Sequence, residues 1–377
     1  MSRRSFRTGL AIVVGTLVVA AIVVGLLARS ALHYPDTRHA GAGREVEVEI
    51  KPGMAFPSVS SLLASRGVIA RPTWFRLFAM YRGDTTRVKT GTYKLRDDLT
   101  PRQVLATLVA GVKDVTVTVT LPEGQHMLEY FARLGGQCPA GEARACPRVT
   151  DAAALLALAR DKEFLAAHGI PGDSVEGYLF PDTYSFRVDE APAKVLGRLI
   201  TRHQQVWREL AQVHARELAR VKDRLGWTDR DVLVMASIVE KEAVVAAERP
   251  RIAQVFINRL VEPEFKSRRL ETDPTIRYGC TVPETKSAAC QAWDPTQRLR
   301  RAQLDDVDNP YNTYRHAGLP PGPISNPGRS AIEATMDPDG SKFFYFVAKA
   351  EGASEHVFSR TYDEHKAAVA RYVKSQD

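Results

Sequence analysis

The chain opens with an apolar segment whose length fits a membrane span. No charged residue interrupts Gly9 to Ala28, and as an α-helix this run extends about 30 Å, the thickness of a bilayer core. Three arginines precede it, so the positive-inside rule places residues 1–8 in the cytoplasm and the remainder outside. A cleaved signal peptide is the alternative, but its apolar region should be shorter and a small-residue cleavage site should follow. We therefore predict an uncleaved transmembrane helix over residues 9–28.

Alternating and helical patterns follow in a short stretch of chain. Residues 29–44 are polar and predict a tether. Within residues 45–121, alternation in Glu45–Ile50 predicts a strand, and two segments with helical spacing come next. A second strand, a third helix capped by Thr100-Pro101, and a third strand over residues 112–121 complete the pattern. The order β-α-α-β-α-β describes a compact α+β module.

Helical patterns dominate the rest of the chain, residues 122–377. Pro122-Glu123-Gly124 marks the boundary, and the longest amphipathic stretch covers residues 193–226. A smaller β element is predicted late, at residues 343–348 and 356–358. The predicted fold class is therefore α+β, with an N-terminal transmembrane helix, a small α+β module and a mostly helical domain that carries a small β element.

Glu240 lies in a segment with the period of a buried helix. This segment covers residues 228–245, and Thr228 with Asp231 resembles a capping box at its start. Glu240 falls at the margin of the apolar stripe, where desolvation would raise its pKa towards the value that a general acid needs. Glu242 falls at the opposite margin, so periodicity does not choose between them. Two exposed, salt-bridged glutamates are the alternative interpretation.

The net charge of the chain indicates which kinds of partner it could bind. The formal net charge is +8, which suits a membrane surface or an acidic polymer. The basic residues form no tract, so a nucleic-acid partner is not predicted.

The four cysteines form two close pairs in the sequence. Cys138 and Cys146 form one pair and Cys280 and Cys290 the other, which in an exported chain favours two disulfides over free thiols. Neither pair has zinc-site spacing, so no metal is predicted.

Three further segments are rich in residue types that bind sugars. Residues 177–184, 270–279 and 309–324 combine aromatic rings with amides and carboxylates. Flat rings stack on the C–H faces of sugars, while amides and hydroxyls bind hydroxyl and N-acetyl groups. Asp-Pro, Asn-Pro and Pro-Pro-Gly are also turn formers, and for any single segment the turn is the stronger interpretation.

Several long motifs occur together in one order. They are Glu176–Tyr184, Ala236–Glu242, Val255–Leu260, Thr272–Thr275, Tyr311–Ile324 and Tyr345–Phe358. In this combination the chain closely resembles the endolytic murein transglycosylases, the YceG-like family, from about Val46 to about His365. The resemblance implies that residues 45–121 form a LysM-like module and residues 122–377 a catalytic domain. It also implies that Glu240, and not Glu242, is the catalytic residue.

The activity implied by the resemblance is cleavage of the β-1,4 bond between N-acetylmuramic acid and N-acetylglucosamine in nascent peptidoglycan strands. The product ends in a 1,6-anhydro ring, and the cut terminates strand elongation. One glutamate suffices and no cofactor is implied, because the 6-hydroxyl of the substrate replaces the second carboxylate or the water of other glycosidases. The candidates for substrate binding are Asp273, Tyr311, Asn312 and Tyr314, with Asp182 and Tyr184 as secondary candidates.

Two features differ from the pattern of the family. Glu271 occupies a position where glutamine is common, and its charge would raise the pKa of Glu240 if it faced the cleft, or have no effect if it pointed to solvent. The stretch from Cys280 to Cys290 resembles an insertion, and we predict a disulfide-closed flap beside the site.

The predicted location is the cell inner membrane, with a single-pass anchor and the catalytic part in the periplasm. The predicted partners are peptidoglycan glycan strands and the membrane, with cell-wall synthases as further candidates. Two alternatives remain at this stage: a non-catalytic peptidoglycan-binding scaffold for synthases, and a muramidase that hydrolyses with water.

Overall fold

Helices account for about half of the protein in the computed structural model, and three two-stranded sheets occur among the described residues. The structure describes residues 3–112, 116–138 and 146–375, with side chains from residue 16 onward. Two compact units form, Met1–Asp114 and Val115–Asp377. The predicted mixture of helix and strand is confirmed.

The first unit begins with a long helix, α1 (Arg3–His33), followed by a 3-10 turn at Tyr34–Asp36. The helix continues past the predicted span of residues 9–28, so the first part of the predicted tether, residues 29–44, is also helical. Within its described part, the stretch Thr16–Asp36 is long and apolar enough to cross a membrane. A stretch of this length and composition near the N-terminus suits a membrane anchor and a signal sequence alike.

The remainder of the first unit is a small mixed α and β structure. Its elements are β1 (Glu45–Ile50), α2 (Phe56–Ser65), α3 (Pro72–Arg82), β2 (Gly91–Arg96) and α4 (Pro101–Ala110). β1 and β2 pair antiparallel, with the buried Val48 opposite the buried Tyr93. Thr100 caps α4 and Pro101 occupies its first turn, as predicted. The β-α-α-β-α order is therefore confirmed, while its likeness to LysM remains a prediction.

The third strand of the predicted module forms but has a different partner. It is β3 (Thr116–Thr120), and it pairs antiparallel with β4 (Thr183–Arg187) in the second unit. An alternating pattern predicts a strand without identifying its partner, because the side-chain period is the same in every sheet. The strand β4 was not predicted; its Tyr184 and Phe186 face the core of the second unit.

The second unit consists mainly of helices. These are α5 (Met127–Leu134), α6 (Ala152–Ala159), α7 (Lys162–Ala167), α8 (Pro192–Val213), α9 (Ala215–Leu225), α10 (Asp229–Glu242), α11 (Arg249–Val261), α12 (Asp273–Thr281), α13 (Ala288–Gln291), α14 (Arg301–Leu304), α15 (Arg329–Met336) and α16 (Tyr362–Lys374). A 3-10 turn at Ala246–Glu248 separates α10 from α11. The late β element is confirmed as the antiparallel pair β5 (Tyr345–Ala348) and β6 (His356–Ser359). The stretch predicted over residues 193–226 is two helices, because the chain breaks at His214.

Helix α10 lies at the centre of the second unit. Every residue from Val232 to Val239 is buried, so this part of the helix is buried on all sides and not only along the predicted stripe. It packs against α11, α12 and α15. Thr228 caps it in a capping box with Asp231, as predicted. Glu240 follows directly after this fully buried stretch.

Both predicted cysteine pairs form disulfides. Cys138 bonds to Cys146 and Cys280 to Cys290, with Cα atoms 5.3 and 4.6 Å apart. The second bond joins α12 to α13 within a small apolar cluster that includes Trp293. Each bond closes a short loop and so restricts the unfolded chain locally.

Candidate active site

The carboxylate of Glu240 is held by two hydrogen-bond donors. Its Oε1 accepts a hydrogen bond from Arg249 Nη2 at 2.8 Å, and its Oε2 accepts one from the backbone N–H of Gly328 at 2.9 Å. Only 5% of the side chain is exposed, so the alternative of an exposed glutamate is wrong at this position. Both oxygens are fixed, which suits a group that transfers protons to and from a bound substrate.

Two glycines allow the backbone to approach Glu240 closely. Gly124 has φ +74°, and a Cβ placed on it would lie 3.4 Å from Glu240 Cγ. A Cβ on Gly328 would overlap the carboxyl of Glu123, at 2.0 Å. Lys241 Nζ donates to the carbonyl of Gly124 at 2.9 Å and so ties this loop to the end of α10. The surroundings of Glu240 are therefore built from two loops as well as from its own helix.

Burial raises the pKa of Glu240 above its ordinary value, as the sequence predicted. The Gly328 N–H and the Arg249 guanidinium oppose this shift because they stabilise the ionised form, while the nearby Glu123 carboxyl adds to it. The protonated and the ionised forms of Glu240 are thus both supported by their surroundings. A carboxyl in this condition can donate a proton and later accept one.

A second buried carboxyl, that of Glu176, connects the loops around the site. It accepts hydrogen bonds from the Met127 N–H, the Tyr278 hydroxyl and the Asn326 amide at 3.1–3.2 Å. Asn326 lies in the same loop as Gly328, whose N–H binds the site glutamate. The hydrogen bond between Asn326 and Glu176 therefore helps to fix the position of the Gly328 N–H.

Burial also raises the pKa of Glu176, from an ordinary 4.5 to about 8. Between these values the unfolded chain ionises while the folded protein keeps the proton. The raised pKa of Glu176 therefore contributes fully to the stability of the fold below pH 4.5, and this contribution is lost as pH rises to about 8.

We expect Tm, measured by calorimetry between pH 4.5 and about 8, to fall with rising pH in the wild type and to fall less in Glu176→Gln. The exposed Glu163→Gln serves as control, and an unchanged slope in Glu176→Gln would contradict the assignment.

Glu242 lies in a separate environment from Glu240. It lines a cavity of about 410 Å³ together with Asp273 and Tyr314, two of the predicted substrate-binding residues. Tyr314 donates a hydrogen bond to Asp273 Oδ1 at 2.9 Å. The Thr272 hydroxyl donates to Glu242, whose pKa is raised by burial. The structure therefore groups Asp273 and Tyr314 with the second glutamate of the motif.

Glu271 lines the same cavity as Glu242. Glu271 was expected to raise the pKa of Glu240 by charge repulsion if it faced the cleft. The carboxylate that has this effect is that of Glu123. Glu271 also adopts a left-handed backbone conformation, with φ +56°. Although several carboxylates line this cavity, no group of three or more His, Cys, Asp or Glu side chains in the described parts of the chain is arranged to hold a metal ion.

Tyr311 and Asn312 are adjacent but have different environments. The Tyr311 ring packs against Tyr278, with centroids 4.8 Å apart, and is only partly buried. Asn312 is fully buried, and its amide donates to three backbone carbonyls within residues 303–306. A contact between Asn312 and a sugar would require these bonds to break. The geometry therefore makes Asn312 a support of its loop, whereas Tyr311 keeps an accessible ring.

The secondary candidates Asp182 and Tyr184 have structural partners. Asp182 pairs with Arg202 at 3.1 Å, and its side chain is 42% exposed. Tyr184 is buried in β4, and its hydroxyl donates to the carbonyl of Phe180 at 2.7 Å. Tyr184 therefore belongs to the core, which corrects its prediction as a residue of the cleft.

The chain is similar to known proteins over most of its length. Residues 48–371 match the sequence profile of the YceG-like family. An endolytic murein transglycosylase of Bacillus subtilis is 27% identical over 88% of this chain and 86% of its own length. A protein of the same description from Streptococcus pneumoniae is 26% identical over 89% of this chain and 60% of its own. The crystal structure of a yceG-like protein of Listeria monocytogenes, 29% identical, covers 86% of this chain and 99% of its own with a TM-score of 0.51.

These relatives and the family profile define the class of protein, a lytic transglycosylase. Because the family profile covers residues 48–371, the chain belongs to the YceG-like family.

Proposed function

We propose that this protein is a membrane-anchored endolytic transglycosylase of peptidoglycan. It cleaves the β-1,4 bond between N-acetylmuramic acid and N-acetylglucosamine in nascent strands, leaves a 1,6-anhydro end and so terminates elongation. The observation that carries the proposal is the carboxyl of Glu240, which is buried, raised in pKa and held by Arg249 and Gly328. The names of relatives that are 26–27% identical support murein as the substrate.

In the first step Glu240 acts as the general acid. Its protonated form, which burial favours, donates the proton to the glycosidic oxygen as the bond to the anomeric carbon breaks. Positive charge develops on that carbon, and the substrate's own 2-acetamido group helps to stabilise it. The ionised Glu240 that results is stabilised by Arg249 and by the Gly328 N–H.

In the second step the same carboxylate acts as the base. The 6-hydroxyl of the muramic acid attacks the anomeric carbon, and Glu240 accepts the proton that this hydroxyl loses. A 1,6-anhydro ring closes, no water is consumed, and Glu240 returns to its protonated form. For substrate binding we propose Asp273, Tyr311 and Tyr314, with Asn312 supporting the loop that carries the two tyrosines.

The ends of the product test this chemistry. We expect glycan digested by the wild type to carry anhydro ends, which are about 18 Da lighter than reducing ends because ring closure adds no water. Mass spectrometry of the digest measures the difference, with Glu240→Gln as the inactive control.

Each alternative gives a different digest. Reducing muramic acid ends alone would replace the proposal with a hydrolytic muramidase. Equal processing of strands by the wild type and by Glu240→Gln, with no new ends in either, would favour a non-catalytic scaffold.

The anchor is the second part of the proposal. The apolar stretch of α1 and the arginines before it support retention in the inner membrane with the catalytic unit in the periplasm. We expect membranes washed with high salt or carbonate to keep the protein, because a spanning helix is not released by charge screening. Recovery of a soluble form lacking the first residues would instead show a cleaved signal sequence.

We propose a LysM-like role for residues 45–121, holding glycan or spacing the catalytic residues 122–377 from the bilayer. The strand β3 at the end of this range pairs within the second unit, so the part in the first unit, residues 45–112, carries the role. Its β-α-α-β order supports this role. Cell-wall synthases are the proposed protein partners, since they polymerise the strands that would be cut. Crosslinking of the full chain in intact membranes tests this, and crosslinks that contain no strand-polymerising enzyme would contradict it.

A further inference from the structure

A large cavity in the second unit lies outside the surroundings of both glutamates. It has a volume of about 1150 Å³ and is bordered by α8, the residues around the start of α10, and the loop after α7. Three aromatic side chains line it without being fully buried: Tyr178, Trp207 and Trp227. Partly exposed rings in a concavity offer flat apolar faces to a ligand.

One polar side chain of the cavity has an unused hydrogen-bonding atom. His203 is only 4% exposed, and its Nδ1 has no hydrogen-bond partner among the described residues. Burial lowers the pKa of His203 to about 4, so the ring is neutral at physiological pH. A neutral imidazole nitrogen can accept a hydrogen bond from a hydroxyl or donate one to a carbonyl oxygen. Because this nitrogen is closed off from solvent, His203 contributes to the cavity through its neutral ring, which stacks with Trp207 at a centroid distance of 6.0 Å.

The charged groups at the rim already have partners within the protein. Lys222 pairs with Asp229 at 2.8 Å, and Asp231 accepts the hydrogen bond of the helix cap. Arg208 donates to a backbone carbonyl on its own helix, and Arg230 donates to carbonyls of two proline-containing loops. An ionic ligand would therefore have to break existing pairs. A neutral ligand with apolar faces and hydrogen-bonding edges fits better, and N-acetylated sugars have this chemistry.

The cavity and the proposed catalytic residue share one rigid helix. Leu233 lines the cavity, and Glu240 lies about 10 Å further along the axis of α10 at about 1.5 Å per residue. Arg230, which also lines the cavity, donates to the carbonyl of Pro321, and a Cβ on the next residue, Gly322, would lie 3.4 Å from the hydroxyl of Tyr311. The loop at 321–322 thus connects the rim of the cavity to a proposed substrate-binding tyrosine.

We propose that this cavity is a distal subsite for the glycan strand, in which N-acetylated sugars stack on Trp207 and Trp227 beside the neutral ring of His203. The inference rests on the proposed function, because it assigns a second contact on the same substrate. Its consequence is that the enzyme holds a strand at a fixed distance from the cut. The length of the released fragment then depends on the subsite as well as on the residues around Glu240.

Binding is tested in the full chain in detergent, with Glu240→Gln present so that no substrate is consumed. The probe is the tetrasaccharide of N-acetylglucosamine, titrated by calorimetry. We expect Trp207→Ala to weaken binding about tenfold, the equivalent of about 1.4 kcal/mol, and Trp207→Phe to keep most of it. Val213→Ala, at an exposed position near the end of the same helix, should have no effect. Equal affinity in Trp207→Ala and in its parent would overturn the proposal.

A second measurement needs no substitution in the cavity. Hydrogen exchange of the same Glu240→Gln protein, with and without the tetrasaccharide, should show protection at residues 203–208 and 227–233. Protection confined to residues 240–242 and 311–314 would overturn the subsite and leave the proposed function intact. If Glu240→Gln still cleaves strands while residues 203–208 are protected, the subsite stands and the catalytic assignment fails.

Discussion

Replacing Glu240 with glutamine is expected to reduce kcat by about 10²–10⁴-fold, the usual contribution of a general acid and base. Glutamine has nearly the same shape, so Gly328 can still donate to the amide oxygen and the fold should be kept. It cannot release or accept the proton that the reaction needs. Release of anhydro fragments from purified glycan strands, followed by mass spectrometry, measures the loss. A single cooperative unfolding transition shows that folding is retained, at a lower Tm because the buried Arg249 loses its anionic partner.

Glu242→Gln is the matched comparison, because it changes the other buried carboxyl of the same motif. We expect it to affect KM more than kcat, since Glu242 lies with the proposed substrate-binding residues Asp273 and Tyr314. If Glu242→Gln removed the activity and Glu240→Gln did not, the catalytic role would pass to Glu242.

Replacing Arg249 with methionine should have the second-largest effect. The change leaves the ionised Glu240 buried without its cationic partner, which for a buried pair costs about 3–5 kcal/mol. Because Arg249 lowers the pKa of Glu240, its removal raises that pKa further. The free energy of unfolding of the variant then falls as pH rises through the pKa of Glu240 in the folded protein. The destabilisation relative to the wild type should therefore be greater at alkaline than at acidic pH.

The measurements for Arg249→Met are urea unfolding at several pH values and the pH profile of kcat/KM. The alkaline limb of the profile should move to higher pH, because Glu240 keeps its proton longer. Arg329→Met is the control: it removes the exposed pair with Glu209 and should have little effect on stability, because solvent screens an exposed ion pair. An unmoved alkaline limb would mean that Arg249 does not set the protonation of Glu240.

Local features of the fold were predictable from sequence. The cap at Thr228 and Asp231 was visible because a capping box involves residues three apart. The cysteine pairs were visible because each closes a short loop. The partner of β3 was not, since strand pairing over a separation such as that from Val119 to Tyr184 leaves no local signal.

For the candidate site, the sequence indicated Glu240 but not the groups that hold its carboxylate. Periodicity placed Glu240 and Glu242 at the margins of a buried helix, and only the family resemblance chose between them. Arg249 carried no signal, because an arginine at the start of the next helix is usually exposed. Gly328 contributes through its backbone N–H, which no side-chain pattern can reveal. Glu176 was noted only as part of a motif, although it is buried and connects three loops.

The hydrogen bonds of Glu176 and Asn326 join parts of the chain that are about 50 to 150 positions apart. Contacts between such distant segments form late in folding, because a long stretch of chain must first be ordered. The Gly328 N–H therefore reaches Glu240 only when the whole unit has assembled. We therefore expect a chain that has not completed this assembly to have no strand-cleaving activity. Refolding followed by tryptophan fluorescence and by strand cleavage should accordingly show one shared transition, and activity that preceded the fluorescence change would contradict this.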